Sequence, residues 1–238
     1  MIPKIIHYCW FGRGELPELA KRCIASWEKY CPDYQIIRWD EDNFDIQSNR
    51  YVREAYESKK YAFVTDYVRL YVLTQMGGVY MDTDVEVVRP LDEFLVHQAF
   101  SGFEEDGWVP TGLMACESGY PLFRDLLKYY DEAVFIQEDG TLNTTTNTNT
   151  ITDEMERRGL IRDGSLQIID GFALYPKEVF CPLENATGKL RKTGDTAAIH
   201  WFSKSWMPRS MRRRAKITRV FHRIFGADCF RWLKGTKQ

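Results

Sequence analysis

Apolar and polar residues follow each other along the start of the chain in blocks that predict strands and helices in turn. Ile2 to Trp10 is a nearly continuous apolar run, typical of a buried strand, and Tyr34 to Trp39 predicts a second strand. Between them, Pro17 to Cys31 carries apolar residues at helical spacing, and Val52 to Lys59 predicts another helix. This alternation predicts a parallel sheet with helices on its faces.

The most regular pattern lies in residues 61–88. Its first part predicts a long helix, because apolar and aromatic residues recur at helical spacing at Phe63, Val64, Tyr67, Val68, Tyr71, Val72 and Met76. Asp66 and Arg69 interrupt this face three residues apart, so they share one side of the helix. Gly77 and Gly78 end the helix, since glycine accepts the left-handed backbone found at many helix ends. Residues 79–81 then predict a short strand.

An acidic triplet, Asp82-Thr83-Asp84, follows that strand directly. Two carboxylates so close repel each other unless a cation lies beside them, and Mg²⁺ and Mn²⁺ prefer carboxylate oxygens. Ligands of such sheets bind beyond the carboxyl ends of the strands, so the triplet predicts a site for a metal and a diphosphate. A second Asp-x-Asp, Asp40-Glu41-Asp42, is interpreted as a solvated helix start.

The rest of the chain predicts the far half of a mixed sheet. The predicted strands are residues 99–103, 112–116, 166–169, 173–175 and 197–200. The predicted helices are residues 121–133 and 151–159, after a polar stretch at 141–152, and residues 176–194 are rich in turns. The turn-rich segment is a candidate rim for an acceptor.

Composition fits a globular protein, with 44% hydrophobic and 28% charged residues among 238. We expect one large domain over residues 1–207 and a basic helical tail over residues 208–238. No apolar run reaches the ~18 residues of a membrane-spanning helix, and no signal peptide precedes Ile2. These observations favour a cytoplasmic protein.

The tail differs sharply in charge from the rest of the chain. Residues 204–238 hold 11 Lys and Arg against one acidic residue, a charge of +10, which leaves −12 for residues 1–203 of the net −2. Its apolar residues, Ile217, Val220, Phe221, Ile224 and Phe225, form a helical stripe. Such a helix can lie on an anionic membrane, making the protein peripheral, or pack against the acidic body. Nucleic acid is a poor fit, since no known reader motif is present.

Three motifs in order resemble the DXD-type glycosyltransferases of family 32, relatives of the yeast outer-chain mannosyltransferase and, more distantly, of the clostridial glucosylating toxins. The central match comprises Ala62, Asp66, Arg69, Gly77, Gly78, Tyr80, Asp82 and Asp84. The opening IPKIIHYCWFG and the late segment from His200 to Trp206 match as well. The resemblance covers residues 2–206 and not the tail.

The resemblance implies a GT-A-like, Rossmann-type mixed sheet flanked by helices. It implies metal-dependent transfer of a sugar from a nucleotide-diphosphate sugar, most simply a UDP-sugar, with retention at the anomeric carbon. The acceptor would be a saccharide or a lipid-linked oligosaccharide in surface polysaccharide biosynthesis, such as capsule or lipopolysaccharide. Mn²⁺ or Mg²⁺ would be held by Asp82, Asp84 and His200.

The same resemblance assigns the other site residues. Asp66 and Arg69 join Asp82 and Asp84 as catalytic candidates, although Asp66 and Arg69 can also be a buried ion pair. Nucleotide-sugar contacts are expected from His7, Trp10, Tyr80, Asn147 (or Asn149), Ser205 and Trp206. A core role is the alternative for His7 and Trp10, because such residues in an apolar strand are often buried.

Two other classes of protein remain open at this stage. One is a non-catalytic module that binds a sugar or nucleotide, or docks at a membrane. The other is a phosphatase of the haloacid dehalogenase type, which also places Asp-x-Asp after a strand. That pattern needs the pair after the first strand and a Thr or Val two residues past the second Asp, where this chain has Glu86.

Overall fold

The computed structural model describes residues 1–104, 107–203, 209–226 and 229. The strands are β1 (Ile5–Cys9), β2 (Gln35–Trp39), β3 (Gly78–Met81), β4 (Val85–Val87), β5 (Ala99–Gly102), β6 (Leu113–Cys116), β7 (Gln167–Ile169), β8 (Phe172–Tyr175) and β9 (Ala198–His200). The helices are α1 (Glu18–Tyr30), α2 (Arg50–Glu57), α3 (Tyr61–Met76), α4 (Pro121–Glu132), α5 (Asn147–Arg157), α6 (Lys177–Phe180) and α7 (Arg209–Phe225).

Seven strands form one mixed sheet in the order β2-β1-β3-β6-β5-β8-β7. The first half is parallel, as the strand and helix order predicts, because β2 and β3 both run parallel to β1. The second half is mixed, since β6 runs antiparallel to β3 and β5 while β8 is parallel to β5. The predicted α/β class and mixed sheet are confirmed.

Helix α3 lies at the centre of the protein and is buried on nearly all sides. Its buried residues include the two charged positions, Asp66 and Arg69, which are 7% and 5% exposed. The helix ends at Gly77, whose backbone has a φ of 66°, in the left-handed region. A side chain there would also meet the backbone nitrogen of Ser118 at 2.6 Å, so both the turn and the close packing require glycine. The chain then enters β3 at once.

A second, two-stranded sheet was not predicted. Strand β4 pairs antiparallel with β9, and Val85 is the cross-strand partner of His200. Trp27 of α1 donates a hydrogen bond from Nε1 to the carbonyl oxygen of Val85, at 2.8 Å, which fixes this small sheet to the body. The pairing carries His200 to the end of β3.

Two helices differ from the sequence prediction. Helix α5 begins at Asn147, four residues before the predicted start, so the polar stretch contributes its first turn. The turn-rich segment 176–194 contains the short helix α6. The tail does form a helix, α7, from Arg209 to Phe225. Among the described residues, no helix combines the length and apolar character needed to cross a bilayer.

Candidate active site

A cavity of about 490 Å³ opens at the carboxyl ends of β1 and β3, where the sheet topology predicts a ligand site. Its walls come from the loop after β1, the buried helix α3, the turn after β3, the loop between β5 and β6, the start of α5 and the residues around β9. The polar and aromatic lining includes Trp10, Tyr61, Asp66, Arg69, Tyr80, Asp82, Asp84, Glu104, Thr111, His200 and Ser203. The predicted catalytic and metal-binding residues therefore share one cavity.

Asp82, Asp84 and His200 converge at one point of the cavity wall. One ligand atom from each lies within 4.8 Å of the others. Asp82 sits in the tight turn after β3, where its backbone nitrogen donates to the carbonyl oxygen of Gly112 at 2.8 Å. His200 enters from β9, and its Nε2 lies 3.3 Å from Oδ1 of Asp84. The three side chains thus come from two segments that the small sheet brings together.

Electrostatics keep the Asp84 carboxylate ionised. Burial alone would raise its pKa, but the His200 ring and the backbone N–H of Ser203, which donates to Oδ2 at 2.7 Å, together hold the pKa of Asp84 well below its usual range. Burial would likewise lower the pKa of His200, but the Asp84 carboxylate raises it well above the ordinary value. The pair is an ion pair in which a divalent cation can replace the imidazole proton.

Gly112 leaves the space that such a cation needs. A Cβ at this position would lie 3.0 Å from Cε1 of His200 and 3.2 Å from Oδ2 of Asp82. Any side chain would therefore press on two of the three ligands. Two carboxylates and an imidazole are a donor set suited to Mn²⁺ or Mg²⁺, so the residues present fit the predicted metal.

Arg69 supplies a fixed positive charge next to this point. Its Nη2 lies 3.3 Å from Oδ1 of Asp66 and 3.5 Å from Oδ1 of Asp82. Nη1 donates to the carbonyl oxygen of Thr111 at 2.6 Å, and the guanidinium stacks over the Tyr80 ring at 4.8 Å. The Tyr80 hydroxyl donates to Oδ1 of Asp82 at 2.9 Å. The expected buried ion pair is present, and both its members also line the cavity.

Asp66 is an unusual carboxylate because it is buried. Burial, opposed by the Arg69 charge and reinforced by the Asp82 charge, raises the pKa of Asp66 to about 6. A carboxylate held in this way is under-solvated and accepts hydrogen bonds strongly. It is therefore well suited to bind the hydroxyl groups of a sugar.

The two aromatic candidates of β1 and its loop lie in different environments. Trp10 lines the cavity, and its Nε1 donates to the carbonyl oxygen of Gly14 at 2.7 Å, which fixes the ring. His7 is fully buried and is not among the lining residues. Trp39 donates to its Nδ1 at 3.1 Å, so Nε2 carries the proton and donates to the carbonyl oxygen of Gly77 at 2.9 Å. The structure places His7 under the site, as a link between β1 and the end of α3.

Asn147 also lies behind the cavity wall. It is 2% exposed, its Oδ1 accepts from the Tyr130 hydroxyl at 2.5 Å, and its Nδ2 donates to the backbone oxygen of Asp66 at 2.6 Å. Its neighbours Thr146 and Thr148 line the cavity instead. Asn147 therefore fixes the backbone that carries Asp66, and both its amide oxygen and its amide nitrogen form hydrogen bonds inside the protein.

Ser205 and Trp206 lie outside the described residues. Close to them, Ser203 was not singled out from the sequence, although its N–H is a partner of Asp84. Gly112 and Glu104 were missed as well, and both line the cavity. Glu104 and Ser203 follow predicted strands, which was the available signal for them, whereas Gly112 lies at the start of a predicted strand.

The second Asp-x-Asp motif has a structural role at its middle residue. Glu41 accepts from the backbone nitrogen of Gly12 at 2.5 Å and from the Tyr56 hydroxyl at 2.9 Å. It thereby supports the loop that carries Trp10. Asp42 is exposed and pairs with Arg13 at 2.6 Å. None of Asp40, Glu41 and Asp42 is among the cavity-lining residues.

Comparison with known proteins agrees with this geometry. Residues 17–101 match the family model described as a glycosyltransferase sugar-binding region containing a DXD motif. Among similar proteins, a mannosyl phosphorylinositol ceramide synthase of Saccharomyces cerevisiae is 32% identical over 57% of this chain and 37% of its own length. An inositol phosphoceramide mannosyltransferase of Schizosaccharomyces pombe is 28% identical over 53% of this chain and 36% of its own. The chain thus spans little more than a third of these fungal relatives.

A viral relative matches over a longer span. An uncharacterized glycosyltransferase of Acanthamoeba polyphaga mimivirus is 24% identical over 87% of this chain and 85% of its own length. Among solved structures, a glycosyltransferase involved in glycosylation of the major capsid of PBCV-1 superimposes with a TM-score of 0.51 and 12% identity, over 90% of this chain and all (100%) of that one. The PaToxG glycosyltransferase gives a TM-score of 0.50 and 18% identity, over 66% and 68%. These two structural likenesses concern the fold alone.

The sequence and fold comparisons converge on one description. The matched region contains α3, β3 and the Asp82-Thr83-Asp84 turn, and therefore two of the three candidate metal ligands in the cavity. Residues 17–101 are therefore similar to the glycosyltransferase sugar-binding regions that contain a DXD motif, and the fold is of the GT-A type.

Proposed function

We propose that this protein transfers a sugar from a nucleotide-diphosphate sugar to an acceptor hydroxyl, with a divalent cation at Asp82, Asp84 and His200. The observation that carries the proposal is the convergence of these three ligands in the cavity that Arg69 and Asp66 also line. In the reaction, the bond between the anomeric carbon and the diphosphate oxygen breaks and a bond to the acceptor oxygen forms. The acceptor hydroxyl loses its proton, and the nucleoside diphosphate leaves with the negative charge.

Stabilising that leaving group is the main task of such a site. A bound Mn²⁺ or Mg²⁺ would neutralise charge on the diphosphate oxygens. Arg69 adds a second, permanent positive charge, held by the carbonyl oxygen of Thr111 and by stacking on Tyr80. Because the guanidinium is buried and fixed, it needs no reorganisation during the reaction. Ser205 and Trp206 remain candidates for further hydrogen bonds to the diphosphate.

The remaining cavity residues orient the donor. Asp66 accepts hydrogen bonds from the sugar hydroxyls, since its carboxylate lines the cavity in a poorly solvated position. Trp10 offers an aromatic face to the nucleobase at the end of β1. Tyr80 positions the Asp82 carboxylate through its hydroxyl. His7 and Asn147 act through the backbone and side chains that they fix.

For the donor we propose a UDP-sugar first, on the resemblance that the motifs carry. A nucleotide sugar carrying mannose is the second candidate, because the names of the fungal relatives describe mannosyl transfer. A hexose and its epimer differ by one hydroxyl orientation, which the cavity residues discriminate through hydrogen bonds. A panel of nucleotide sugars therefore decides the donor.

For the acceptor we propose a saccharide or a lipid-linked oligosaccharide of surface polysaccharide biosynthesis, in the cytoplasm or at its membrane. The fungal relatives, whose names describe mannosylated inositol phosphoceramides, support a lipid-borne acceptor as a class. We propose retention of anomeric configuration, on the same family resemblance. The configuration of the product, read from the proton coupling at the anomeric carbon, tests this point.

A thermal-shift panel tests the proposed function without an acceptor. The wild-type protein is melted with UDP-glucose, UDP-galactose or GDP-mannose, each with and without Mn²⁺. A ligand that binds only the native state raises the melting temperature. At a concentration one hundred times its Kd, it increases the free energy of unfolding by about 3 kcal/mol. We expect a Mn²⁺-dependent rise with one donor. No rise with any nucleotide sugar would contradict the proposal.

Binding alone does not separate an enzyme from a non-catalytic binding module. Slow hydrolysis of the nucleotide sugar distinguishes the two, because glycosyltransferases of this chemistry can transfer the sugar to water when no acceptor is present. Release of nucleoside diphosphate that requires Mn²⁺ supports the enzyme. A thermal shift with no release, even after addition of candidate saccharides, favours the binding module.

A further inference from the structure

We infer that α7 is an interfacial helix that docks the protein on a membrane surface rich in anionic lipid. Helix α7 carries an apolar stripe formed by Ile217, Val220, Phe221, Ile224 and Phe225, each between 44% and 67% exposed. The spacing of these residues follows the helical period over two turns, so they form one continuous surface. The alternative predicted from the sequence is a helix that packs against the acidic body, and the exposed fractions of the stripe residues favour the membrane instead.

The helix is attached to the body through its opposite side. Arg219 donates from Nε to the backbone oxygen of Asn185 at 2.9 Å and from Nη2 to Oδ1 of Asn185 at 3.2 Å. At about 3.6 residues per turn, Arg219 falls on the other side of the helix from Ile217 and Ile224. The contact therefore lies on the side of α7 opposite the apolar stripe, whose residues are exposed.

The charge of the helix identifies the occupant of this stripe. Residues 209–226 contain seven Lys and Arg and no Asp or Glu. A helix with one apolar face and many basic residues lies in the membrane plane, with the apolar face at the acyl boundary and the basic residues among anionic headgroups. Its 17 residues and high charge do not fit a membrane-spanning helix.

Other occupants fit the same surface less well. A second copy of the chain would bring two helices of the same strong positive charge together, with no acidic residue in either to pair with the basic ones. A nucleic acid would neutralise the basic residues but would leave the apolar stripe in water. An anionic membrane satisfies both features at once.

The position of α7 relates this surface to the cavity. Ser203 lines the cavity, and α7 starts six residues later at Arg209. Asn185, the partner of Arg219, lies in the turn-rich segment 176–194 that is the candidate acceptor rim. Docking through α7 would therefore hold at the membrane a helix that follows the cavity-lining Ser203 by six residues, which suits an acceptor carried by a lipid. This last step rests on the proposed function, whereas the membrane contact itself does not.

Vesicle flotation of the full chain tests the inference. We expect binding to vesicles of phosphatidylcholine mixed with phosphatidylglycerol, and binding about tenfold weaker or less to phosphatidylcholine alone. Added salt should weaken the binding to the mixed vesicles, because the headgroup attraction is screened. Equal binding to both vesicle types would contradict the anionic preference, and absence of binding to either would contradict the inference as a whole.

A pair of matched variants locates the contact. Replacing Ile217 and Ile224 together with Gln removes two exposed apolar side chains from the stripe, and we expect at least about a tenfold loss of vesicle binding. The control replaces Val96 and Ile168 with Gln, which are also exposed and lie outside α7, and should change binding less than about twofold. Equal losses in both variants would contradict the assignment to the stripe. Unchanged melting temperatures verify that both variants are folded.

Two further measurements separate this inference from its competitors. Asp84→Asn should retain vesicle binding while losing metal-dependent turnover, so failure of the proposed reaction leaves the membrane contact intact. Sedimentation of the wild type without lipid should give a monomer. A dimer that Ile217→Gln with Ile224→Gln dissociates, or binding to DNA that exceeds binding to the mixed vesicles, would overturn the inference.

Discussion

Asp84 and His200 lie far apart in the sequence, yet Oδ1 of Asp84 and Nε2 of His200 lie 3.3 Å apart in the cavity wall. The pairing of β4 with β9 brings them together, because Val85 is the cross-strand partner of His200. A backbone hydrogen bond from Trp201 to the carbonyl oxygen of Asp84, at 3.0 Å, extends this pairing by one residue. A three-residue strand pair thus brings together three candidate metal ligands, of which the acidic triplet alone provides two.

Gly112→Ala should weaken metal binding without unfolding the protein. The added methyl group would lie 3.0 Å from Cε1 of His200 and 3.2 Å from Oδ2 of Asp82, so both ligands must shift. We expect Mn²⁺ affinity, measured by calorimetric titration, to fall about tenfold or more. The control is Gly194→Ala, where the added Cβ would meet no atom within 4 Å. Unchanged Mn²⁺ affinity in Gly112→Ala would contradict the assigned ligand set.

Asp66→Asn should change how stability depends on pH. Burial raises the folded pKa of Asp66 to about 6, above its ordinary 3.8, so the stability that this group contributes is present at low pH and lost as pH rises through 6. The neutral amide avoids that loss. We therefore expect the free energy of unfolding of the variant, relative to that of the wild type, to increase by on the order of 1 kcal/mol or more from pH 4 to pH 8. Donor binding should weaken.

Chemical denaturation at several pH values measures this difference. A stability difference between wild type and Asp66→Asn that does not change from pH 4 to pH 8 would contradict the raised pKa. Weaker donor binding together with equal or greater stability at pH 8 would identify Asp66 as a group kept for function at a cost in stability.

Arg69→Met should destabilise the protein strongly. It leaves Asp66 and Asp82 without the cation that lies 3.3 and 3.5 Å from them, and it removes the donor to the carbonyl oxygen of Thr111. Removing one partner of a buried ion pair typically costs about 3–5 kcal/mol. Urea unfolding checks this, with Arg157→Met as the control, since that exposed residue pairs only with Glu154 among its described ion pairs and should cost less than about 1 kcal/mol.

A double variant tests whether the two charges act as a pair. In the Asp66→Asn protein, Arg69→Met leaves one fewer carboxylate without a cation. The loss in free energy of unfolding caused by Arg69→Met should therefore be smaller there than in the wild type, by about 1 kcal/mol or more. If the cost of Arg69→Met is the same in both backgrounds, the ion pair with Asp66 does not contribute to stability.

Much of this site could be predicted from the sequence because its signals are local. The period of α3, the two glycines after it and the acidic triplet after β3 all lie in one continuous stretch. Strand β4 was missed, and with it the pairing to β9, because a three-residue strand carries almost no periodicity. The start of α5 was placed four residues late, since the Asn and Thr residues of its first turn favour loops and caps. The full burial of His7 depends on Trp39 and Gly77, which no local pattern connects to it.

His7 and Trp10 should respond in opposite ways to substitution. His7→Leu leaves the Trp39 indole N–H and the Gly77 carbonyl oxygen without their partner, so we expect a loss of about 2 kcal/mol in stability. Donor affinity of the folded fraction should change little. Trp10→Ala should weaken donor binding about fivefold or more and lower the melting temperature only slightly. Thermal melts and donor titrations of both variants measure these effects. Weaker donor binding in His7→Leu than in Trp10→Ala would contradict a structural role for His7 and a binding role for Trp10.

The most direct test of the central claim is the release of nucleoside diphosphate from a nucleotide sugar, followed with Mn²⁺ or with chelator. The wild type is compared with Asp84→Asn and with Asp42→Asn, which alters the second Asp-x-Asp motif outside the cavity lining. We expect Mn²⁺-dependent release by the wild type and Asp42→Asn, and a loss of about a hundredfold or more in Asp84→Asn. Release that persists in chelator, or that Asp84→Asn retains in full, would contradict a metal-dependent site at Asp82, Asp84 and His200.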